Sequence, residues 1–342
     1  MADIEVMHSY RIGLIGLGTV GLSFAELLTR FGDECSQSCG RSLELRRVVV
    51  RDRDRALARW QAALPTVPPP KWTGEVDRVV GADDIDLVVE LVGGVDLPRE
   101  WIRRALKSGQ DVVTANKAVL AAHGEELFEI ADKFGRSLLF EGAAAGAIPI
   151  LQVIREGLTA GPITSLQAIL NGSTNWLIGA LGQGRSMAEA LDEARERGLV
   201  EADPTLDIAG TDAAHKLALI ARLLTGRRVD FAAIRCEGIA DLGPEDLAFG
   251  CRQGLELRLV AHMSTREPGR AELGVFPEWH AKDHPLASIH DENNAVILEG
   301  PTFGSLMFVG RGAGGKPTAG SVMADTVRAA RGAGRISSTK QR

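Results

Sequence analysis

A chain of 342 residues with 45% hydrophobic and 25% charged residues has the composition of a soluble protein with two cores. Its net charge of −6 gives no footprint for nucleic acid, and its four cysteines form neither a CxxC pair nor a dense disulfide framework, which points to a reducing, cytoplasmic setting. No apolar run reaches the roughly 20 residues that a membrane span needs, and the N-terminus lacks a basic region followed by an apolar one.

After a short polar lead, YRIGLIGLGTVGLSFAELLTRFG reads as strand, glycine-rich turn and helix. Gly16, Leu17, Gly18, Thr19, Val20 and Gly21 form G-x-G-x-x-G at that turn. The first glycine permits the turn, the second lets backbone approach a pyrophosphate, and the third packs helix on strand. This is a dinucleotide fingerprint in its proper context, against which a purely structural glycine turn is the bland alternative. The polar stretch GDECSQSCGRS around Cys35 and Cys39 reads as a loop carrying two free thiols.

The second strand, LELRRVVV, ends at Arg51-Asp52-Arg53-Asp54-Arg55, where the adenosine ribose belongs. Arginine there suits the extra phosphate of NADP and an acid suits the hydroxyls of NAD; Arg51 comes first, so NADP is preferred and NAD remains open. IDLVVELVGG is the apolar run of a strand buried on both faces, closing at Gly93-Gly94 where backbone can approach a cofactor. DLPREWIRRALKSG is a helix and DVVTANK a strand, so Asn116 and Lys117 fall past a strand end at the ligand edge of an open α/β sheet. An ordinary exposed lysine competes evenly with a functional one at Lys117.

From EGAAAGAIPI the pattern changes to a small-residue crossover between domains, whose carbonyls suit a hard or monovalent cation but whose default reading is a packing turn. SLQAILNGSTNWLIGAL runs from a strand into Asn171-Gly172-Ser173-Thr174-Asn175, polar groups that either hold a small polar substrate or cap a helix through Ser173 or Thr174. In EADPTLDIAGTDAAHKL four carboxylates and a lysine gather at a helix start, with Thr211 as N-cap and Asp212 in the first turn. Lys216 follows Asp212 at i+4 on one helix face. A solvated ion pair is the ordinary reading of that spacing; the apolar continuation AAHKLALIARLL argues instead for a buried helix that holds its lysine for a reason. Two strand-like runs then precede the loop from Gly310 to Gly315, suited to close over the nicotinamide, and a helix from Thr318 to about Arg331 returns to the first domain.

GLGTVG, VRDRD, TANKAVLA, EGAAAGAIPI, ILNGSTNW, EADPTLDIAGTDAAHKL, HPLA and GRGAGGKPTAG follow one another in an order that resembles homoserine dehydrogenase across almost the whole chain. The resemblance implies an α/β fold, with a Rossmann NAD(P)-binding domain over 1–141 completed by 318–342 and an α+β catalytic and dimerisation domain over 142–317. It implies interconversion of L-homoserine and L-aspartate 4-semialdehyde, on the route to threonine, methionine and isoleucine, by a homodimer. Carried over by position, Lys216 and Lys117 are the catalytic residues, Glu201 and Asp212 hold the substrate and Asp207 is a supporting carboxylate; Asn171 and Thr174 of the polar turn are substrate-binding candidates by residue type. The fingerprint residues with Arg51, Gly93, Lys117 and Gly312 hold the cofactor. Main-chain oxygens of Glu141, Ala144, Gly146 and Ile148 are the implied sodium ligands.

The chain departs from the family pattern at Trp176, where tyrosine is usual, and at Gly310-Arg311-Gly312, where Gly-Pro-Gly is usual. It also matches the short, monofunctional form, without an ACT regulatory domain. A related oxidoreductase acting on another small hydroxy acid or amino aldehyde, and a cofactor-binding sensor without turnover, are the competing expectations.

Overall fold

The structure, a computed structural model, describes residues 8–200, 203–226, 229–267 and 270–332. The chain divides into two compact units, residues 1–143 with 314–342, and 144–313. The first opens with strand β1 (Ser9–Ile15), helix α1 (Thr19–Cys39), β2 (Ser42–Val49), α2 (Arg53–Ala63), β3 (Lys71–Thr73) and β4 (Leu87–Glu90). It continues through α3 (Asp96–Lys107), β5 (Asp111–Thr114), α4 (Lys117–Phe134) and β6 (Leu138–Leu139). The strands are parallel and ordered β3-β2-β1-β4-β5-β6, so the connection reverses direction between β1 and β4. All four residues of β4 and of β5 are buried, because helices cover both faces of a parallel sheet.

α1 is longer than the polar composition of its second half suggests. Cys35 and Cys39 lie on its last turns and not in a loop, and the helix ends only at Gly40, which takes the left-handed C-cap conformation at φ 70°. Leu28, Cys35 and Cys39 pack toward the core that holds Tyr10, Phe24 and Trp60, so tertiary contact carries the helix through a sequence that local polarity would end.

The second unit begins with α5 (Ile150–Gln152), β7 (Ser165–Ile169), α6 (Gly172–Gly182), α7 (Met187–Glu196), α8 (Thr205–Ile208) and α9 (Thr211–Thr225). β8 (Arg235–Cys236), α10 (Pro244–Arg252), β9 (Leu255–Glu267), β10 (Arg270–Ala281), β11 (Asn293–Gly300) and β12 (Gly304–Arg311) follow. Its sheet runs β12-β11-β7-β9-β10-β8, antiparallel except where β8 joins β10. α11 (Gly315–Ala330) then rejoins the first unit and packs on α1; it starts three residues before the expected Thr318. Among the described residues no helix is long and apolar enough to cross a membrane.

Candidate active site

The dinucleotide fingerprint sits between β1 and α1, beside the reversal point of the sheet where open α/β folds take their ligands. Gly16 has φ +99°, and a Cβ there would stand 2.9 Å from the Leu91 carbonyl oxygen. At Gly21 a Cβ would stand 2.1 Å from the Gly16 carbonyl oxygen, so helix and turn touch with no room for a side chain. Gly18 caps α1, and nothing lies within 4 Å of the position its Cβ would take. Closed packing behind the loop and open space before it fit a pyrophosphate on the helix N-terminus.

Past β2, Arg51 and Asp52 are exposed. Asp52 caps α2 by accepting the Arg55 N–H at 3.0 Å, and Arg59 reaches the Leu17 carbonyl of the fingerprint at 3.4 Å. Gly93 is exposed in the loop after β4. Asn116 caps α4 by accepting the Val119 N–H at 3.2 Å, and its amide donates to the Val92 and Gly94 carbonyls at 3.0 and 2.9 Å. Lys117, half-buried, is therefore the first residue of a helix whose entry is tied to the Gly93 loop.

Sequence reading passed over Glu90, the last residue of β4. It stands opposite Thr114 in the β4–β5 register, accepts the Thr114 hydroxyl at 2.7 Å and the Val92 N–H at 2.7 Å, and is fully buried. Burial pushes its carboxyl up to about 7, against the three donors Thr114, Val92 and Asn116 that pull it down. A second acid, four residues after Asp86 in the apolar run IDLVVELVGG, was the signal available for it.

In the second unit the structure brings five of the expected residues together. The Lys216 Nζ donates to the Leu170 carbonyl at 2.7 Å and pairs with Asp212 Oδ2 at 2.8 Å. With side-chain exposures of 12% and 6%, Lys216 and Asp212 form no solvated surface pair. Asn171 Nδ2 donates to Asp207 Oδ1 at 2.7 Å and to Asp212 Oδ2 at 2.9 Å, while its Oδ1 accepts the Thr174 N–H at 2.9 Å. Thr174 Oγ1 donates to the Asp207 carbonyl at 3.2 Å.

Asn171, not Ser173 or Thr174, is thus the cap of α6, and Gly210 in the left-handed conformation, not Thr211, precedes α9. The reason at α6 is packing: a Cβ on Gly172 would lie 2.3 Å from the Glu292 carbonyl oxygen, so the helix starts hard against that loop and turns Asn171 to the carboxylates. Glu201 lies outside the described residues.

Asn294 is a second residue that sequence reading missed; fully buried, it donates to the same Leu170 carbonyl that takes Lys216, at 3.3 Å. A Cβ on Gly312 would collide with Asn294, which explains that glycine by packing. The Arg311 side chain is exposed; its carbonyl accepts the Ala147 N–H at 3.0 Å, so the backbone at this departure from the family pattern fastens the small-residue turn. Trp176 is buried under the Arg197 guanidinium at 5.2 Å.

Among the described residues Lys216 uses two of its three N–H donors within the protein. Asp207 and Asp212, joined through Asn171 beside the Lys216 ammonium, are acceptors of the kind that bind an ammonium, and the remaining Lys216 N–H is a proton source for a nearby oxygen.

The family profile described as "Homoserine dehydrogenase, NAD binding domain" matches residues 16–141, and that described as "Homoserine dehydrogenase" matches residues 149–327. A homoserine dehydrogenase of Corynebacterium glutamicum is 39% identical over 325 residues, 94% of this chain and 72% of that one. The crystal structure of a homoserine dehydrogenase from Thiobacillus denitrificans superposes with a TM-score of 0.89 at 36% identity, covering 95% of this chain and 74% of that chain. A hyperthermophilic archaeal homoserine dehydrogenase in complex with NADPH superposes with a TM-score of 0.77 at 25% identity, covering 94% of this chain and 97% of that chain. With a nicotinamide dinucleotide fold in the first unit and a buried lysine–carboxylate group in the second, the chain belongs to the homoserine dehydrogenase family of oxidoreductases.

Proposed function

We propose that Lys216 is the proton donor and acceptor of the family reaction, the interconversion of L-homoserine and L-aspartate 4-semialdehyde. The observation that carries this is the ammonium held at 2.8 Å from Asp212 and 2.7 Å from the Leu170 carbonyl, with one N–H left for a substrate oxygen. The nicotinamide, when bound, supplies or accepts the hydride. As the aldehyde is reduced, Lys216 passes a proton to the oxygen on which negative charge develops, and Asp212 holds the ammonium in place. In our reading Asp207, Asp212 and Glu201 receive the substrate ammonium, and Asn171 and Thr174 fix the two aspartates. Lys117, at the ligand edge of the first unit, serves cofactor and substrate.

The preference for NADP over NAD rests on Arg51, exposed just past β2, with Asp52 committed to capping α2. By family resemblance alone, we assign the main-chain oxygens of Glu141, Ala144, Gly146 and Ile148 to a structural sodium ion. A homodimer through the second unit is supported by Met307 and Val309, 37% and 54% exposed on the edge strand β12. We place the protein in the cytoplasm. The deciding experiment is NADPH or NADH oxidation with L-aspartate 4-semialdehyde, for the wild type and Arg51→Ala. Substrate-dependent oxidation with an NADPH preference that the variant loses supports the reading; cofactor binding without oxidation would overturn it in favour of a sensor.

A further inference from the structure

Glu90 is buried at 0% exposure, yet unlike Asp212 with Lys216, or Asp325 with Arg328, it has no cation partner among the described residues. Its position is unusual as well. In the β1–β4 register Glu90 stands opposite Ile15, one residue before the first glycine of the fingerprint, and the following Leu91 N–H donates to the Ile15 carbonyl at 2.9 Å. It therefore sits at the reversal point of the sheet, under the edge where the nicotinamide cofactor of this family is received.

Its hydrogen bonds run to both loops of that edge. Val92 belongs to the loop after β4, and Thr114 accepts the Asn116 N–H at 3.0 Å while donating to Glu90, so one carboxyl joins the Gly93 loop to the turn before Lys117. The charged groups on the elements packed against β4 are engaged elsewhere. Arg11 pairs with Asp86 and Tyr10 with Asp111 at the opposite strand ends. Arg99, Arg103 and Arg104 of α3 pair with Glu126, Glu100 and Asp77, and Arg328 of α11 with Asp325. Asp96, Lys107, Lys117 and Lys316 complete the set, and none of them forms an ion pair with Glu90.

We propose that Glu90 is a positioning residue of the cofactor edge, and that its ionisation sets the relative affinity for oxidised and reduced nicotinamide. The oxidised ring carries a positive charge that the reduced ring lacks. A buried carboxylate without a counter-ion acts on that charge through a medium that screens weakly, whereas a protonated one does not. Because burial brings the carboxyl up to about 7, the switch falls within the working range of pH. Binding of the oxidised cofactor lowers the pH at which Glu90 ionises, and ionised Glu90 in turn tightens that binding by the same factor.

The inference rests on the cofactor alone and stands apart from the assignment of Lys216. Its test is the ratio of the dissociation constants of NADP⁺ and NADPH, from protein fluorescence or calorimetry, between pH 5.5 and 8.5. The ribose phosphate is common to both and cancels in the ratio. In the wild type the ratio should fall roughly tenfold as pH rises through the midpoint, as expected for a unit charge acting at short range in a protein. Glu90→Gln, which keeps size and hydrogen-bonding capacity, should give a flat ratio fixed near the low-pH value. Thr114→Val removes a donor from the ionised form and should carry the wild-type transition about one pH unit upward. A flat wild-type ratio, a Glu90→Gln ratio that still falls, or a Thr114→Val midpoint that stays put would each overturn the proposal.

Discussion

Replacing Lys216 by methionine keeps most of the apolar stem and deletes only the ammonium, so the loss can be worked from the contacts. Asp212, 6% exposed on its side chain, loses the Lys216 ammonium and retains the Asn171 amide at 2.9 Å. Removing one partner of a buried pair costs about 3–5 kcal/mol; the surviving amide and the packed methionine place this case near 3 kcal/mol. A domain with ordinary stability of roughly 5–15 kcal/mol tolerates that and still folds. Turnover should fall about 10²- to 10⁴-fold, or roughly 3–5 kcal/mol of transition-state stabilisation, while NADPH affinity stays within about twofold because the fingerprint is untouched.

Urea unfolding, NADPH fluorescence titration and the 340-nm assay, run on the same preparation, separate the three quantities. Asp212→Asn completes a double-mutant cycle. If the pair is a unit, the double variant should cost about 2–3 kcal/mol less than the sum of the singles. A folded Lys216→Met protein that turns over within about threefold of wild type, or a cycle with no coupling, would refute the reasoning.

Three further outcomes are expected. Glu90 keeps its proton in the folded protein up to about pH 7, where the unfolded chain releases it near 4.5, so it contributes stability that is present below 4.5 and lost as pH rises through 7. Wild-type stability should therefore drop by about 3 kcal/mol relative to Glu90→Gln between those pH values, and parallel denaturation curves would contradict it. Asn171→Ala removes the cap of α6 and the amide shared by Asp207 and Asp212, so unfolding free energy should fall by about 1–3 kcal/mol and KM for the aldehyde rise; an unchanged KM would exclude Asn171 from aligning the site. Gly172→Ala drives a Cβ to 2.3 Å from the Glu292 carbonyl, and the forced shift of the α6 start should cost roughly 1–3 kcal/mol in thermal or urea unfolding, with a wild-type midpoint as the contrary result.

Local pattern was enough wherever a feature is held by neighbours in the chain. The fingerprint from Gly16 to Gly21 is bounded by its own strand and helix, and the Asp212–Lys216 pair needs only the helical period to meet on one face. The same period could not say whether that pair is wet or buried; packing of α9 decided it.

Capping residues were misplaced by the same limit. A run such as Asn171-Gly172-Ser173-Thr174 holds three residues able to cap, and the choice fell to Asn171 because Gly172 meets the Glu292 loop, more than a hundred positions away. The helical state of Cys35 and Cys39 is likewise owed to contacts with the core of the first unit, not to their polar neighbours.

What the sequence by itself determined, then, is the strand–helix alternation of the first unit, the nucleotide-binding turn and the chemical types at the lysine site, because all three depend on short-range periodicity and side-chain identity. Tertiary structure alone decided that Asn294 reaches the Leu170 carbonyl, 124 residues away, and shares it with Lys216, and that Glu90 faces Thr114 across a strand pair, 24 residues away, with no cation partner among the described residues. Burial and register are properties of the assembled sheet, and a charge acquires its altered affinity for a proton only once that sheet has removed the water around it.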